Sequence, residues 1–422
     1  MSKERILVIP GGFVPYNDTV TLLTYKHLRN IDAEFDVVAL KGKEDPTLKQ
    51  KLEQDPAYSR FHVQYVCDYD QAVATFEKKN VISGLIWFHR YCKAALKQAQ
   101  KYPYKVVYTS SVPAFTHLAG YWIKKKLGSS ITWVASMSDP LYHSPYKHDT
   151  ETIHEYSLIQ KIGFYVYIAI FMNSRHEKLA QKYSDRMIYI CPEQRDFSVS
   201  QYPEHQQAYL EKSMTVSLNY LPQWDQDMIA AGNQTPEVHH PLIYSHLGRV
   251  YGLRKIDAFL QALIQLKKDC PKLAETIQFN QYGEIKQKYQ KLIQDSHLED
   301  VIHLLDKVTY EEAEKKMIQS DGLVLFDTIM PDNEIQPYLP SKAIEYMLLR
   351  KDLLIISTPK SPAWRIFTGL GYDCCRNDTE EVKQEIWKLM TVAPVKHDYD
   401  ISMYENTRAT AQLKQYIESK LN

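Results

Sequence analysis

Short β-rich apolar runs alternate with polar, helix-periodic stretches along most of this chain, and that rhythm constrains the fold more than any other feature. Runs expected as strands are Arg5–Ile9, Phe35–Leu40, Ile82–Phe88, Lys105–Thr109, Ile131–Met137, Met187–Cys191 and Thr215–Leu218. Between them lie periodic segments such as Asp70–Lys79 and Tyr91–Lys101. This is the pattern of parallel α/β sheets. A polar, punctuated stretch at Tyr220–His240 interrupts the rhythm and reads as an inter-domain connection. The rhythm then restarts with Pro241–Leu247, a helix over Lys255–Lys268, and strands at Ile277–Gln281, Val301–Leu304, Gly322–Phe326 and Leu353–Ser357. A helical tail follows over Met403–Leu421.

With 422 residues, the chain is too long for one ordinary core. The expected architecture is α/β, with two Rossmann-like domains facing each other across a cleft. Residues 1–219 would form the first domain, 220–240 the linker and 241–402 the second domain. Residues 403–422 would pack back on the first. Ligands in such sheets bind beyond the carboxyl ends of the strands, so the loops there take priority.

Lysine plus arginine equals aspartate plus glutamate at 51 each, so no net field points to nucleic acid. The N-terminal stretch enters a strand directly, without the apolar core and cleavage site of a signal peptide. The longest apolar run, Ile162–Met172, falls short of the roughly 20 residues that span a bilayer. It reads as a buried helix, with shallow insertion at a membrane face as the alternative. The six cysteines show no CxxC or zinc spacing, which fits a reducing, cytosolic setting.

Three loops carry chemistry. Pro10-Gly11-Gly12-Phe13 closes the first strand, where a glycine pair lets a ligand approach the backbone; no GxGxxG is present. His246-Leu247-Gly248-Arg249 releases into a glycine loop that ends at Lys255. A guanidinium and an ammonium converging there suit a diphosphate. A cation at a helix start is unfavourable unless an anion is present, which strengthens that reading. Finally, Pro340-Ser341 reads as a helix start with Ser341 as cap, followed by Lys342 and, one turn on, Glu345. Amides at Ser341 and the Lys342 ammonium would face phosphate, and Glu345 hydroxyls.

These segments resemble the large family of retaining GT-B glycosyltransferases that includes sucrose synthases and bacterial capsule and lipopolysaccharide transferases, the family 4-like enzymes. Gly248-Arg249 to Lys255 is similar to the family's arginine–lysine grip on the donor diphosphate. Gly283 falls at its "G-x-G" loop, and Val308-Thr309-Tyr310 resembles the segment whose backbone reads the nucleobase. Pro340 to Tyr346 matches its "P-x-K-x-x-E-Y" signature, whose glutamate, here Glu345, binds the ribose. Tyr108 to Ser111 and Trp133 to Pro140 resemble the "SS" and "DP" segments of the bacterial polysaccharide branch.

The resemblance implies metal-independent transfer of a glycosyl group, with retained configuration, from a uridine-linked diphosphate sugar. The acceptor would be a hydroxyl of a glycan or lipid-linked glycan, in the synthesis of bacterial surface polysaccharide such as capsule or exopolysaccharide. It implies no cofactor, a cytoplasmic setting and contact with the inner face of the plasma membrane. Asp139, Arg249 and Lys255 are the catalytic candidates. Gly11, Gly12, Gly248, Arg249, Lys255, Gly283, Val308, Pro340, Ser341, Lys342 and Glu345 are the donor-binding ones. His143 and His117 stand behind Asp139. Two departures matter. Pro337 stands eight positions before Glu345, where many members carry a sugar-contacting glutamate, leaving Asp332 and Glu334 as nearby candidates. The strand ending at Met137 delivers Asp139 where many members have a histidine. A non-catalytic GT-B subunit that positions a partner transferase is therefore the alternative. Three D-x-D triplets, Asp68–Asp70, Asp225–Asp227 and Asp398–Asp400, read as coincidence.

Overall fold

The computed structural model describes residues 3–68, 81–111, 113–148, 157–158, 161–162, 165, 174–235 and 240–421. The chain forms two compact units, residues Met1–Asn219 with Tyr404–Asn422, and Tyr220–Met403.

The first unit holds a seven-stranded parallel sheet in the order β3-β2-β1-β4-β5-β6-β7. Its strands are β1 (Arg5–Ile9), β2 (Glu34–Lys41), β3 (Phe61–Asp68), β4 (Val106–Ser110), β5 (Thr132–Met137), β6 (Arg186–Tyr189) and β7 (Ser213–Thr215). The second unit holds a five-stranded parallel sheet in the order β10-β9-β8-β11-β12. Its strands are β8 (Leu242–Leu247), β9 (Ile277–Tyr282), β10 (Ile302–Leu305), β11 (Gly322–Phe326) and β12 (Asp352–Ile356). Both orders reverse at the first strand of the unit, the doubly wound Rossmann arrangement.

Two segments depart from the strand reading. Ile82–Phe88 lies inside the Val81–Ala99 helix, whose residues Tyr91, Cys92, Ala95 and Ala99 are buried at helical spacing. The third strand is instead Phe61–Asp68, an edge strand whose exposed positions are polar enough to hide it. Thr215–Leu218 contributes only Thr215 to β7.

Residues 220–235 of the stretch expected as a linker are described and contain a helix. Helix Gln226–Gly232 belongs to the second unit and packs on helix Ala343–Leu349. The approach is so close that a Cβ added at Gly232 would lie 2.0 Å from the Leu348 carbonyl oxygen. The chain's last helix, Ala411–Leu421, with Asn406 before it, joins the first unit. Asn30 Nδ2 donates to Asn406 Oδ1 at 2.8 Å, and Asp32 N donates to Glu418 at 3.0 Å.

Each sheet buries its core under helices. In the first unit Leu7, Ile9, Val107 and Trp133 meet Tyr91, Phe115, Ile123 and Ala180. In the second, Tyr244, Phe279, Val324 and Leu354 meet Phe259, Leu263, Ile386 and Tyr289. Among the described residues no helix is long and apolar enough to cross a membrane. Of the apolar run Ile162–Met172, only Ile162 and Tyr165 lie within the described residues, and they are 57% and 57% exposed. The helix Asp70–Lys79 expected from sequence lies outside them.

Candidate functional site

Strands β8 and β9 end side by side, with Leu247 paired to Tyr282, so the glycines that follow them, Gly248 and Gly283, are brought together. Gly283 has φ +103°, and a Cβ there would lie 3.2 Å from the Gly248 carbonyl oxygen. Only glycine fits such a turn without strain. Gln281, at the end of β9, fastens the loops. Its Nε2 donates to the carbonyls of Gly248 at 2.8 Å and Gly283 at 3.1 Å. Its Oε1 faces His246 Nδ1 at 2.8 Å, which makes Nδ1 the protonated nitrogen. Burial holds His246 down to about 3, so the ring is neutral at physiological pH.

Lys342 arrives from the other loop. A Cβ built at Gly248 would lie 3.6 Å from Lys342 Cε. Burial lowers the Lys342 ammonium from its ordinary value, while Glu345 acts in the opposite sense. Four of the expected donor residues, Gly248, Gly283, Lys342 and Glu345, are thus assembled at the carboxyl end of the second sheet.

The cations of the Gly248 loop divide. Arg249 is exposed and stacks its guanidinium 5.3 Å from the Tyr251 ring. Lys255 makes no hydrogen bond or ion pair with the described residues. The helix behind it starts at Asp257 rather than at Lys255, and Asp257 supplies first-turn negative charge. The helix-dipole argument for Lys255 therefore fails. Sequence reasoning missed Arg254, which is half-buried, with its guanidinium 5.3 Å from the same Tyr251 ring. Its charge acts on His246, Asp327, Lys342 and Tyr346. Its Nη1 donates to the Arg249 carbonyl at 3.2 Å, whereas its Nε is buried without a hydrogen-bond partner among the described residues. The backbone fixes it there, through a bridge to Thr328 and a 3.0 Å bond from Ile329 N to the Leu253 carbonyl.

Asp327, directly after β11, is the buried hub beneath these loops. Gln336 Nε2 and Thr328 N donate to its Oδ1 at 2.8 and 2.7 Å, and Ser357 Oγ donates to Oδ2 at 2.6 Å. Burial outweighs these bonds and the nearby Arg254, and raises the carboxyl to about 6. Through Gln336 it holds the 327–342 loop, whose residues Pro340 and Ser341 lead into Lys342. Ser341 is exposed and does not cap the helix. The cap position falls on Lys342, without a side-chain cap bond, and the helix spans only Ala343–Leu349. Pro340 is buried and its carbonyl accepts from Ala343 N at 3.0 Å.

At the start of the Tyr310–Gln319 helix, burial of the phenol and then the Glu345 carboxylate raise Tyr310, a residue 41% exposed overall, so these two residues are neighbours. Val308 is half-buried in the loop before them, and Thr309 caps the Tyr310–Gln319 helix with Glu312 in a reciprocal capping box. The acids considered for the sugar do not converge on this group. Asp332 is exposed and pairs with Arg376 at 3.4 Å, Glu334 is exposed, and Pro337 is buried.

The remaining candidates belong to the first unit. Gly11 and Gly12 are buried, and a Cβ at Gly12 would lie 2.8 Å from Tyr16 Cδ1, so the pair makes room for that ring. Asp139 is half-buried after β5. The backbone behind it is anchored by the fully buried Glu177, whose Oε2 accepts from Leu141 N at 2.7 Å and Tyr142 N at 2.8 Å. His143 is exposed, at φ 52°. His117 is fully buried, bonded through Nδ1 to Thr109 Oγ1 at 2.9 Å and held down to about 3 by burial, as a structural residue would be. Among the described residues no group of three or more His, Cys, Asp or Glu is arranged to hold a metal.

No family model matches the sequence, and no curated protein does. Solved structures do. A lipopolysaccharide outer core galactosyltransferase, WaaB, in its apo form, aligns over 99% of this chain and 99% of its own, with TM-score 0.59 at 12% identity. The E. coli trehalose-6-phosphate structure bound with UDP-2-fluoro glucose aligns over 99% of each chain, with TM-score 0.55 at 10% identity. The UDP-forming α,α-trehalose-phosphate synthase from Burkholderia xenovorans, in complex with glucose-6-phosphate, aligns over 99% of this chain and 100% of its own. Its TM-score is 0.56 at 8% identity. With its two doubly wound parallel sheets and these neighbours, the chain has the GT-B fold.

Proposed function

We propose that the protein is a retaining glycosyltransferase that moves a sugar from a uridine-linked diphosphate donor to a hydroxyl of a glycan or lipid-linked glycan. The assembly of Gly248, Gly283, Arg254 and Lys342 at one sheet end is the observation that carries this reading. It gathers two cations and close-packed glycine backbone at one sheet end, a set of donors that suits a diphosphate. Arg249 and Lys255 add cations from the same loop. Glu345, beside Lys342 and Tyr310, is assigned to the hydroxyls of a ribose, with the base along Val308–Tyr310. A solved neighbour bound with UDP-2-fluoro glucose supports the choice of a uridine-linked donor.

Transfer passes through an oxocarbenium-like centre while negative charge grows on the leaving diphosphate. Preorganised donors such as Arg254 and Lys342 lower that barrier by about 3 kcal/mol each. The donor phosphate itself takes the acceptor proton, so no strong protein base and no metal is needed. Asp139 is assigned to the sugar face. The setting is bacterial surface polysaccharide synthesis at the cytoplasmic side of the membrane.

The test is a thermal-shift screen against UDP-, GDP- and TDP-sugars, followed by donor turnover. Ligand at 100 times its dissociation constant stabilises by about 2.7 kcal/mol. Arg254→Ala and Glu345→Ala should abolish the shift; retention in both overturns the site. The lack of a converging acid where Pro337 stands favours a second reading, a donor-binding GT-B subunit that positions a partner transferase. Full donor binding without turnover or donor hydrolysis selects it.

A further inference from the structure

Tyr251 stands between Arg249 and Arg254 in the Gly248 loop, and the fold brings both guanidinium groups to its ring. Each guanidinium carbon lies 5.3 Å from the ring centroid, within cation–π range. The ring itself is 45% exposed, whereas the turn beneath it is closely built. Arg254 N donates to the Tyr251 carbonyl at 3.1 Å and closes a four-residue turn. Gly252, its first central residue, has φ 59°, and Leu253 does not share that sign, which is the II′ pattern.

Both sides of the turn and its tip are tied to neighbouring segments. On one side Val250 bridges to Ile285, and its N–H donates to the Glu284 carbonyl at 2.9 Å. On the other, Arg254 bridges to Thr328. At the tip, the buried Lys286 reaches over from the Gly283 loop and donates from Nζ to the Gly252 carbonyl at 2.9 Å. The backbone that carries Tyr251 is therefore fixed where its ring meets both arginines.

Two like charges brought to one place repel, and long side chains with free rotamers drift apart unless something holds them. A carboxylate would hold an arginine more firmly, but it would also occupy the guanidinium fork that a diphosphate needs. An aromatic ring attracts the cation through its quadrupole and leaves the positive charge uncancelled. The geometry points to Tyr251 as a positioning residue of the donor grip: its ring holds the Arg249 and Arg254 guanidinium groups at the loop, with their charge kept for the donor diphosphate. This role rests on the donor function proposed for the loop.

The test is calorimetric titration of the full chain with UDP and with inorganic pyrophosphate. Each cation contact on an exposed ring is worth a factor of about two to five. Tyr251→Leu and Tyr251→Gln, which keep the turn but lack the ring, should therefore weaken both ligands about five- to twentyfold. Tyr251→Phe should bind as the parent does. In an Arg249→Ala background only one contact is left to lose, so Tyr251→Leu should cost about two- to fivefold. Tyr183→Leu removes a ring of the first unit that is 40% exposed with Lys182 at 5.3 Å, and it should change nothing.

A second readout needs no ligand. In protein carrying isotope-labelled arginine, the Tyr251 ring current displaces the Nε–Hε signals of Arg249 and Arg254. Both signals should move toward free arginine in Tyr251→Leu and keep their places in Tyr251→Phe, and equal melting temperatures confirm folding. Parent-like or stronger binding in both ringless variants, failure of phenylalanine to restore binding, an undiminished cost in Arg249→Ala, or signals that stay put in Tyr251→Leu overturns the role. A parent that binds neither UDP nor pyrophosphate overturns the donor reading and this role with it. A parent that binds both, matched by its ringless variants, overturns this role alone.

Discussion

Asp327→Asn is the perturbation that tests the physics of the second unit most directly. The carboxyl ionises near 6 in the fold against an ordinary 3.8, a gap of about two units. At 1.36 kcal/mol per unit, that is about 3 kcal/mol of linkage between ionisation and folding. The sign follows from the direction. The folded chain holds this proton more tightly than the unfolded chain. The resulting stabilisation is complete below about pH 4 and is lost as pH rises through 6. At pH 7 the native state therefore carries a buried carboxylate at a cost. Asparagine keeps an oxygen for Gln336 Nε2 and Thr328 N and turns the other position into a donor for Ser357 Oγ. Ser357 can then donate to Ser361, 2.7 Å away. The variant should match the parent near pH 4 and exceed it by about 3 kcal/mol at pH 8. Urea unfolding at a series of pH values, read by hydrogen exchange in the β11 and β12 peptides, gives the difference profile. A flat profile, or a less stable variant at pH 7, would show that the three hydrogen bonds and Arg254 outweigh burial. Asp327→Ala is the contrast: it strands the buried donors of Thr328 and Gln336 and should destabilise at every pH, by about 1–3 kcal/mol for each.

Other outcomes follow from single contacts. Gly283→Ala forces a side chain into φ +103° and against the Gly248 carbonyl, and should cost about 1–3 kcal/mol in urea melts while weakening the donor thermal shift. Gly232→Ala should open the contact with helix Ala343–Leu349, lowering the second unit's stability by about 1–3 kcal/mol. Asp55, almost fully buried, is bound in a fork by Arg29 at 3.0 and 3.0 Å. Its carboxyl is also subject to burial, which raises it, but hydrogen bonds from Arg29 and others hold it below its ordinary value. Its stabilisation is present above about pH 4 and is lost as pH falls further, so Asp55→Asn should flatten the acid limb of the first unit's unfolding curve. Glu177→Ala leaves Leu141 N and Tyr142 N without their acceptor and should raise hydrogen exchange in the loop behind Asp139 by at least tenfold.

The sequence carried the fold wherever a strand is buried on both faces. The runs at Arg5–Ile9 and Gly322–Phe326 coincide with β1 and β11 because each presents continuous apolar residues to two helical layers. It failed at the edge, where Phe61–Asp68 exposes alternate polar residues. It failed again at Ile82–Phe88, where the flanking periodicity of Tyr91 to Ala99 was the better guide. At the candidate site, glycines and signature residues were readable because they follow strands at fixed spacing. Arg254 was not, since Arg249, Arg254 and Lys255 are chemically similar and only the Thr328 bridge decides which one the backbone pins. Asp327 was equally silent. An aspartate after a strand gives no sign of being a fully buried hub until its three donors, from Thr328, Gln336 and Ser357, are in place.

The first unit is discontinuous, and this has a consequence for how the protein is made. Its sheet is encoded by the first 219 residues, but Asn406, Glu418 and Leu421, which bond to Asn30, Asp32 and Lys105, are encoded after the whole second unit. At roughly 5–20 residues per second, a ribosome needs on the order of ten to forty seconds to cross the interval. Through that time the nascent first sheet exists without its closing helix, so Asn30 Nδ2 and Asp32 N lack their acceptors and Lys105 keeps only Glu4. Vectorial synthesis thus completes the second unit before the first, the reverse of their order along the chain.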